Sequence, residues 1–331
     1  MRHRYQACFA LIALLVIAGC SMLPSPAQRY EHADQLALAK GWQHAQWRAG
    51  DFQIALWMAP MTPSPARLSI YIEGDGLAWV SPSQPSDDPT PIDPVALRLA
   101  LAQPTGRAVY VARPCQYGDA SSHSGASGAS GAPSASDASS ASNGSSTSDA
   151  SSASNDSSTS DASGASGLSC GRMYWTTHRF SPAVVESIDQ IVSRLKQRSG
   201  AEHLTLIGYS GGGAIAALVA ARRHDVDRLI TVAGNLEPRE WVREKGLQPL
   251  EGSLDPSDDI QALGAIRQWH FVGGRDTTVP PPLTEEFADR FAPSVKPKVI
   301  AIDAYGHACC WADHWSELWT TYGLGATKDA P

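Results

Sequence analysis

The sequence predicts an α/β fold, a mostly parallel central sheet with helices on both faces. Three observations carry this reading. From residue 67 onward, short apolar runs of strand length alternate with segments whose apolar residues recur at helical spacing, the order that lays helices over a parallel sheet. The 331 residues are 43% hydrophobic, enough for a substantial core. The charged share is only 18%, and the deficit is local: residues 118–168 contain no Lys or Arg and five acidic residues, with Ser, Ala, Gly, Thr and Asn making up nearly all the rest. Without that stretch and the N-terminal leader, the composition suits one α/β domain better than two small ones. The formal charge of 26 − 33 = −7 lacks the basic footprint of a nucleic-acid binder, so no nucleic-acid partner is expected.

Residues 1–19 read as an export signal. Arg2 and Arg4 precede an apolar run from Ala7 to Ala18. That run is shorter than the ~20 residues a membrane-spanning helix needs. It ends Ile17-Ala18-Gly19-Cys20, which resembles the lipobox of bacterial lipoproteins. The resemblance implies cleavage before Cys20 and acylation of that residue, a firm anchor to a lipid bilayer. Ser21 follows instead of the Asp that resembles an inner-membrane retention signal, so the outer membrane of a bacterial envelope is the expected location. Residues 20–40, with Pro24 and Pro26, are expected to be a tether holding a short helix near its end, and the domain to span 41–331.

Within the domain, Phe52, Ile54, Leu56 and Met58 alternate after an Ala49-Gly50-Asp51 turn, which predicts a hairpin. Strands follow at 67–73 and 107–112, with a loop over 81–94 and a helix over 95–102 between them. Order resumes at Cys170. Ser181 and Pro182 give a helix start, and Val184, Val185, Ile188, Ile191, Val192 and Leu195 fall on one helical face before Gly200. A strand at 203–207 leads into a nearly all-apolar helix, 211–222, and then a strand at 227–233. Residues 236–267 are mixed and polar with helical pieces. Strands at 268–272 and 298–302 and a helix over 308–322 complete the series.

The stretch 118–168 interrupts the domain. DASSASNGSSTS (137–148) is followed by DASSASNDSSTS (149–160), a tandem repeat of period 12 whose only apolar residue is Ala. Such a segment buries too little apolar surface to offset its ordering entropy and is expected to be a disordered surface insert. Two cysteines flank it, Cys115 and Cys170. The chain leaves and returns to the body near these points, and the expected compartment is oxidising, so the two are predicted to pair. Cys8 leaves with the leader, Cys20 is the lipidation site, and Cys309 and Cys310 are expected to remain free or buried. No spacing of Cys or His resembles a zinc site, and no metal or organic cofactor is expected.

The chemistry centres on HLTLIGYSGGGA (203–214). Gly208-Tyr209-Ser210-Gly211-Gly212 lies between a short apolar strand and a small-residue helix, the setting of a G-x-S-x-G nucleophile elbow. A nucleophilic serine needs a base, and the base an orienting acid. Asp276 ends the strand-linked run Phe271-Val272-Gly273-Gly274-Arg275-Asp276, and His307 sits in the loop after the strand 298–302. Ser210, Asp276 and His307 are therefore the candidate triad, in the chain order this architecture uses. Asp303 is the reserve acid. Asp255, Asp258 and Asp259 look like solvated charges, His270 like a core residue and His314 like a structural one. For the oxyanion, one donor should be the N–H of Gly211 and the other should come from Asp75, with Gly76 as the alternative.

These residues resemble the α/β-hydrolase superfamily over roughly 42–322, the insert excepted. YIEGDGLAW (71–79), ARPCQY (112–117), WTTHRFSP (175–182), GYSGGGA (208–214), VAGNL (232–236) and FVGGRD (271–276) are similar to a little-characterised group of bacterial α/β-hydrolases. Glu73-Gly74 stands where lipases of the superfamily carry His-Gly. The triad and the lipobox together point to a membrane-anchored serine hydrolase that works through an acyl-enzyme. It is expected to be a monomer acting on a small-molecule acyl substrate, with a carboxylic ester as the default and a thioester or amide as related acyl bonds. The resemblance carries over no particular substrate. A peptidase or acyltransferase using the same triad, and a binding protein on the same scaffold, are the alternatives. Trp79, Trp175 and Trp311 could each line the pocket or belong to the core.

Overall fold

The structure is a computed structural model and describes residues 23–64, 66–118 and 170–326. The export signal, Cys20 and nearly all of the Ser-rich insert lie outside the described residues. Helix α1 (Pro26–Leu38) comes first, capped by Ser25, whose side chain accepts from the Gln28 N–H. A hairpin of β1 (Gln43–Ala49) and β2 (Phe52–Met58) follows, with Ala49 opposite Phe52. Then come β3 (Leu68–Ile72), a two-stranded ribbon of β4 (Trp79–Ser81) and β5 (Gln84–Pro85), α2 (Val95–Ala102) and β6 (Arg107–Val111). Beyond the insert the chain runs through α3 (Pro182–Ser199), β7 (Leu204–Tyr209), α4 (Gly211–Ala220), β8 (Val226–Val232), α5 (Pro238–Lys245), α6 (Ile260–Leu263), β9 (Arg267–Gly273), α7 (Pro281–Asp289), β10 (Lys298–Ile302) and α8 (Trp311–Thr321).

Eight strands form one sheet in the order β1-β2-β6-β3-β7-β8-β9-β10. The first two pairings are antiparallel and the rest parallel. Alternate residues of each central strand feed opposite faces, as the two-residue period of a strand requires. Ile70 and Ile72 of β3 join Val184, Ile188 and Ile191 of α3 and the apolar residues of α4 in one core. Tyr71 of β3 joins Ala33 of α1, Leu97 and Leu99 of α2 and Trp311, Trp315 and Trp319 of α8 in the other. Both faces of the sheet are therefore covered, which is why the middle strands read as continuous apolar runs. Among the described residues, no helix is long and apolar enough to cross a membrane.

The structure departs from the sequence expectations at several points. Residues 26–38, expected within a tether, instead form α1, which packs on the body: Ala33 and Ala37 are fully buried, and Arg29 donates to the carbonyls of Asp88 and Thr90 and pairs with the Asp88 carboxylate at 3.4 Å. Ser181 occupies the N-cap position of α3, but its side chain makes no capping bond. Asp255 is not a solvated charge: it is buried and caps a short 3₁₀ turn by accepting from the Ser257 N–H at 2.9 Å. Helix α7 and the β4–β5 ribbon were not expected at all.

Cys115 and Cys170 are joined as a disulfide with Cα atoms 5.4 Å apart. Cys309 and Cys310 are also joined, to each other, against the expectation of free or buried thiols. They lie in the surface turn before α8, where Cys309 is exposed and adjacency alone brings the two sulfurs together.

Candidate active site

Strand β7 ends at Tyr209 and α4 begins at Gly211, so Ser210 has to turn the chain in one residue. It does so at φ 52°, ψ −125°, a region that L-residues rarely adopt. The glycines around it are sterically required. A Cβ on Gly208 would meet the Gly212 carbonyl oxygen at 2.2 Å, and one on Gly212 would meet the carbonyls of Ile72 and Glu73 at 2.4 Å. The turn is thereby pressed against the end of β3. Ser210 stands at the C-terminal edge of the sheet, at the N-terminus of a fully buried helix.

Asp276 and His307 arrive at the same edge from β9 and β10. The Asp276 side chain is buried, and its Oδ1 accepts from the backbone N–H groups of Thr278 (2.8 Å) and Val279 (2.9 Å). Its Oδ2 lies 2.8 Å from His307 Nδ1. A carboxylate so placed can only accept, so Nδ1 carries the ring proton and Nε2 is left as the acceptor. Nε2 faces Ser210 Oγ at 2.9 Å. The His307 backbone is braced from below, where Trp311 Nε1 donates to the carbonyls of Gly306 (3.1 Å) and His307 (3.0 Å). The structure thus brings Ser210, His307 and Asp276 into one chain of hydrogen bonds. Asp303 is exposed and takes no part. His270 is a core residue: it is fully buried, bonded to Thr231 Oγ1 at 2.8 Å, and burial pushes it down to about 3.

The loop after β3 packs on the elbow. The Gly74 N–H donates to Glu73 Oε1 at 3.0 Å, whereas the N–H groups of Asp75 and Gly211 donate to no acceptor among the described residues. These two, the predicted oxyanion donors, border the same cavity as Ser210, as does Gly76. The Asp75 side chain is held by two guanidinium groups, Arg113 Nη1 at 3.1 Å and Arg179 Nη1 at 2.7 Å. Burial raises the Asp75 carboxyl, but Arg179 and Arg113 outweigh this and hold it below its ordinary value. Glu73 has no such partner. Burial lifts it to about 7, against hydrogen bonds from the Gly74 and Ala96 N–H groups that pull it down.

The cavity above Ser210 has a volume of about 410 Å³. Of the three tryptophans weighed from the sequence, Trp79 lines it, while Trp175 and Trp311 are core. Arg179, Asn235 and Trp241 also line it, and none of these had an expected role. Arg179 and Asn235 fall within WTTHRFSP and VAGNL, yet nothing in their local spacing marks them as pocket residues.

A family profile described as alpha/beta hydrolase fold matches residues 144–252. Among solved structures, the chain is similar to Est1E from Butyrivibrio proteoclasticus, at 12% identity and a TM-score of 0.52, covering 85% of this chain and 97% of that one. It is likewise similar to the Pyrococcus furiosus esterase Pf2001, at 12% identity and a TM-score of 0.50, covering 86% of this chain and 91% of that one. No curated protein sequence matches the chain. The protein has the α/β-hydrolase fold, with a mostly parallel sheet flanked by helices.

Proposed function

We propose that the protein is a serine hydrolase acting on a carboxylic ester or related acyl bond. The observation that carries this reading is the relay Asp276 Oδ2–His307 Nδ1, His307 Nε2–Ser210 Oγ at 2.8 and 2.9 Å, set on a strained elbow at the sheet edge. Ser210 Oγ attacks the acyl carbonyl while His307 Nε2 takes its proton. Asp276 fixes the ring and stabilises the imidazolium. The charge on the carbonyl oxygen is met by the N–H groups of Gly211 and Asp75, the first of them at the positive end of α4. His307 then returns its proton to the leaving group, and water repeats the sequence on the acyl-enzyme. The Pyrococcus furiosus esterase, of like fold, is consistent with an ester as substrate.

We also propose that the mature chain begins at an acylated Cys20 and is held at a bacterial membrane. Labelling with a fluorophosphonate tests the serine: wild type should label and Ser210→Ala should not. Absence of label on folded wild type would exclude an activated serine. Metabolic labelling with a fatty acid, lost in Cys20→Ala, tests the anchor.

A further inference from the structure

Two buried side chains in the Ser210 cavity present polar groups that no described residue satisfies. Asn235 is 3% exposed. Its backbone N–H donates to the Ser210 carbonyl at 3.0 Å, but its Oδ1 has no partner, and its Nδ2 makes no hydrogen bond among the described residues. Arg179 is 5% exposed. Its Nε donates to the Thr176 carbonyl and its Nη1 to Asp75, both at 2.7 Å, while Nη2 has no acceptor among the described residues. Trp241 stands beside the guanidinium, its ring centroid 5.8 Å from Cζ. The indole N–H of Trp241 is already used on the Thr278 carbonyl at 2.7 Å. Neither Arg179 Nη2 nor the Asn235 amide belongs to the Ser–His–Asp relay. The Asn235 amide is thus buried with its Oδ1 unmet, and Arg179 Nη2 and Asn235 Nδ2 are donors to spare on residues that line one cavity, which is the mark of a ligand site.

Within the Arg113–Asp75–Arg179 group the charge balance is positive. Arg113 and Arg179 share a single carboxylate, Asp75. Asp93, at the cavity rim, is paired with Arg98 at 2.8 Å. Glu73 is lifted by burial and carries little charge below neutrality. Elsewhere the cavity is apolar, formed by Leu77, Trp79, Ile92 and Val279. A guanidinium edge and an amide lining one cavity form a donor set that suits a carboxylate or phosphate.

We infer that Arg179 Nη2 and Asn235 Nδ2 bind an anionic oxygen group, a carboxylate or a phosphate, carried by the acyl substrate, while the apolar wall takes its hydrocarbon part. This rests on the serine-hydrolase reading and names the substrate class for it. A site built to hydrogen-bond a polar group rejects the analogue that lacks it far more strongly than a hydrophobic site rejects a missing methylene.

The test compares two matched pairs on the purified protein. 4-Nitrophenyl hydrogen glutarate against 4-nitrophenyl valerate puts the charge on the acyl side. Butyrylglycerol 3-phosphate against monobutyrin puts it on the alcohol side. In one pair the charged member should be favoured by about tenfold or more in kcat/KM, and which pair responds identifies the source of the anion. Arg179→Gln should bring that ratio close to one. Arg113→Gln removes the other partner of Asp75 but offers no nitrogen to the cavity, so it should slow both members alike and keep the ratio. Asn235→Asp should turn the preference toward the neutral ester, and it decides the matter if Arg179→Gln fails to fold. Preference for the neutral member of both pairs in wild type overturns the inference, as does a ratio unmoved by Arg179→Gln and Asn235→Asp. Should Ser210 fail to label and no ester turn over, the hydrolase reading itself falls. Labelling together with a neutral preference sinks the anion site alone.

Discussion

The elbow at Ser210 and the loop at 73–76 press against each other, yet they are specified in different ways. The elbow is fixed by backbone sterics within five residues, where Gly208 and Gly212 leave room that no side chain could share. The loop is fixed by charge from distant parts of the chain: Asp75 is held by Arg113, 38 positions on, and by Arg179, 104 positions on. The difference teaches where function and stability are coupled. At the elbow the proposed nucleophile is a hydroxyl that the fold does not need. In the loop, the residue whose N–H is the proposed oxyanion donor also neutralises buried charge.

The largest expected effect lies on the elbow side. Ser210→Ala should abolish turnover and leave stability unchanged, since only the Oγ is lost. Asp276→Asn should fold but lose on the order of 10⁴ in kcat by misorienting the imidazole. Asp303→Asn should leave activity intact, because Asp303 is exposed and outside the relay. Steady-state kinetics on the three variants checks this; near-full activity in Asp276→Asn with loss in Asp303→Asn would reverse the acid assignment.

The loop should behave in the opposite way. Asp75→Asn leaves two buried guanidinium groups without a counter-charge, the situation in which removing one partner of a buried pair costs about 3–5 kcal/mol. Urea denaturation should show that loss, together with a fall in kcat, while Ser210→Ala shows only the fall in kcat. An Asp75→Asn protein as stable as wild type would mean that the two arginines do not depend on it.

The same contrast explains what could be read in advance. Ser210, Asp276 and His307 each follow a strand whose apolar run is visible in the sequence, so their arrival at one sheet edge follows from the parallel order. Arg113 and Arg179 meet Asp75 through pairings that have no period, Asn235 reaches the cavity from the loop after β8, and nothing local marks any of the three. Among the elements, the helices that carry long apolar stripes were legible. Helix α7 was not, although Leu283, Phe287 and Phe291 recur every four residues, because the run of prolines at its start reads as a breaker. Helix α1 was expected only as a short piece of a tether. Its mean hydropathy is low, and it is held by small alanines and by Arg29, which signal solvent when read singly.

A smaller effect concerns pH. Glu73 has a folded value of about 7, above its ordinary 4.5, so between these two the folded state keeps a proton that the unfolded chain has released. Its contribution is fully present below about pH 4.5 and is lost as pH rises to about 7, by about 3 kcal/mol at most. Glu73→Gln cannot release that proton. The variant should match wild type near pH 4.5 and exceed it in stability at pH 8. Equal denaturation midpoints for the two proteins at pH 8 would show that Glu73 is not held protonated.

The smallest effect tests the insert, and it is conditional on the disulfide. If the Ser-rich stretch adds no packing, deleting Ser121–Ser166 changes only loop entropy. Folding must bring Cys115 and Cys170 together, and the deletion reduces their separation from 55 to 55 − 46 = 9 residues. With the bridge formed, that closure is already present in the unfolded chain, so the deletion should leave stability unchanged. In Cys115→Ser/Cys170→Ser the longer loop costs more to close, and the logarithmic dependence on length gives a gain of about 1–2 kcal/mol for the deletion. Chemical denaturation of the four proteins closes the cycle. A gain of the same size with and without the bridge would mean that the cysteines are not paired in solution. A cooperative loss of stability in either background would mean that the repeats pack on the domain after all.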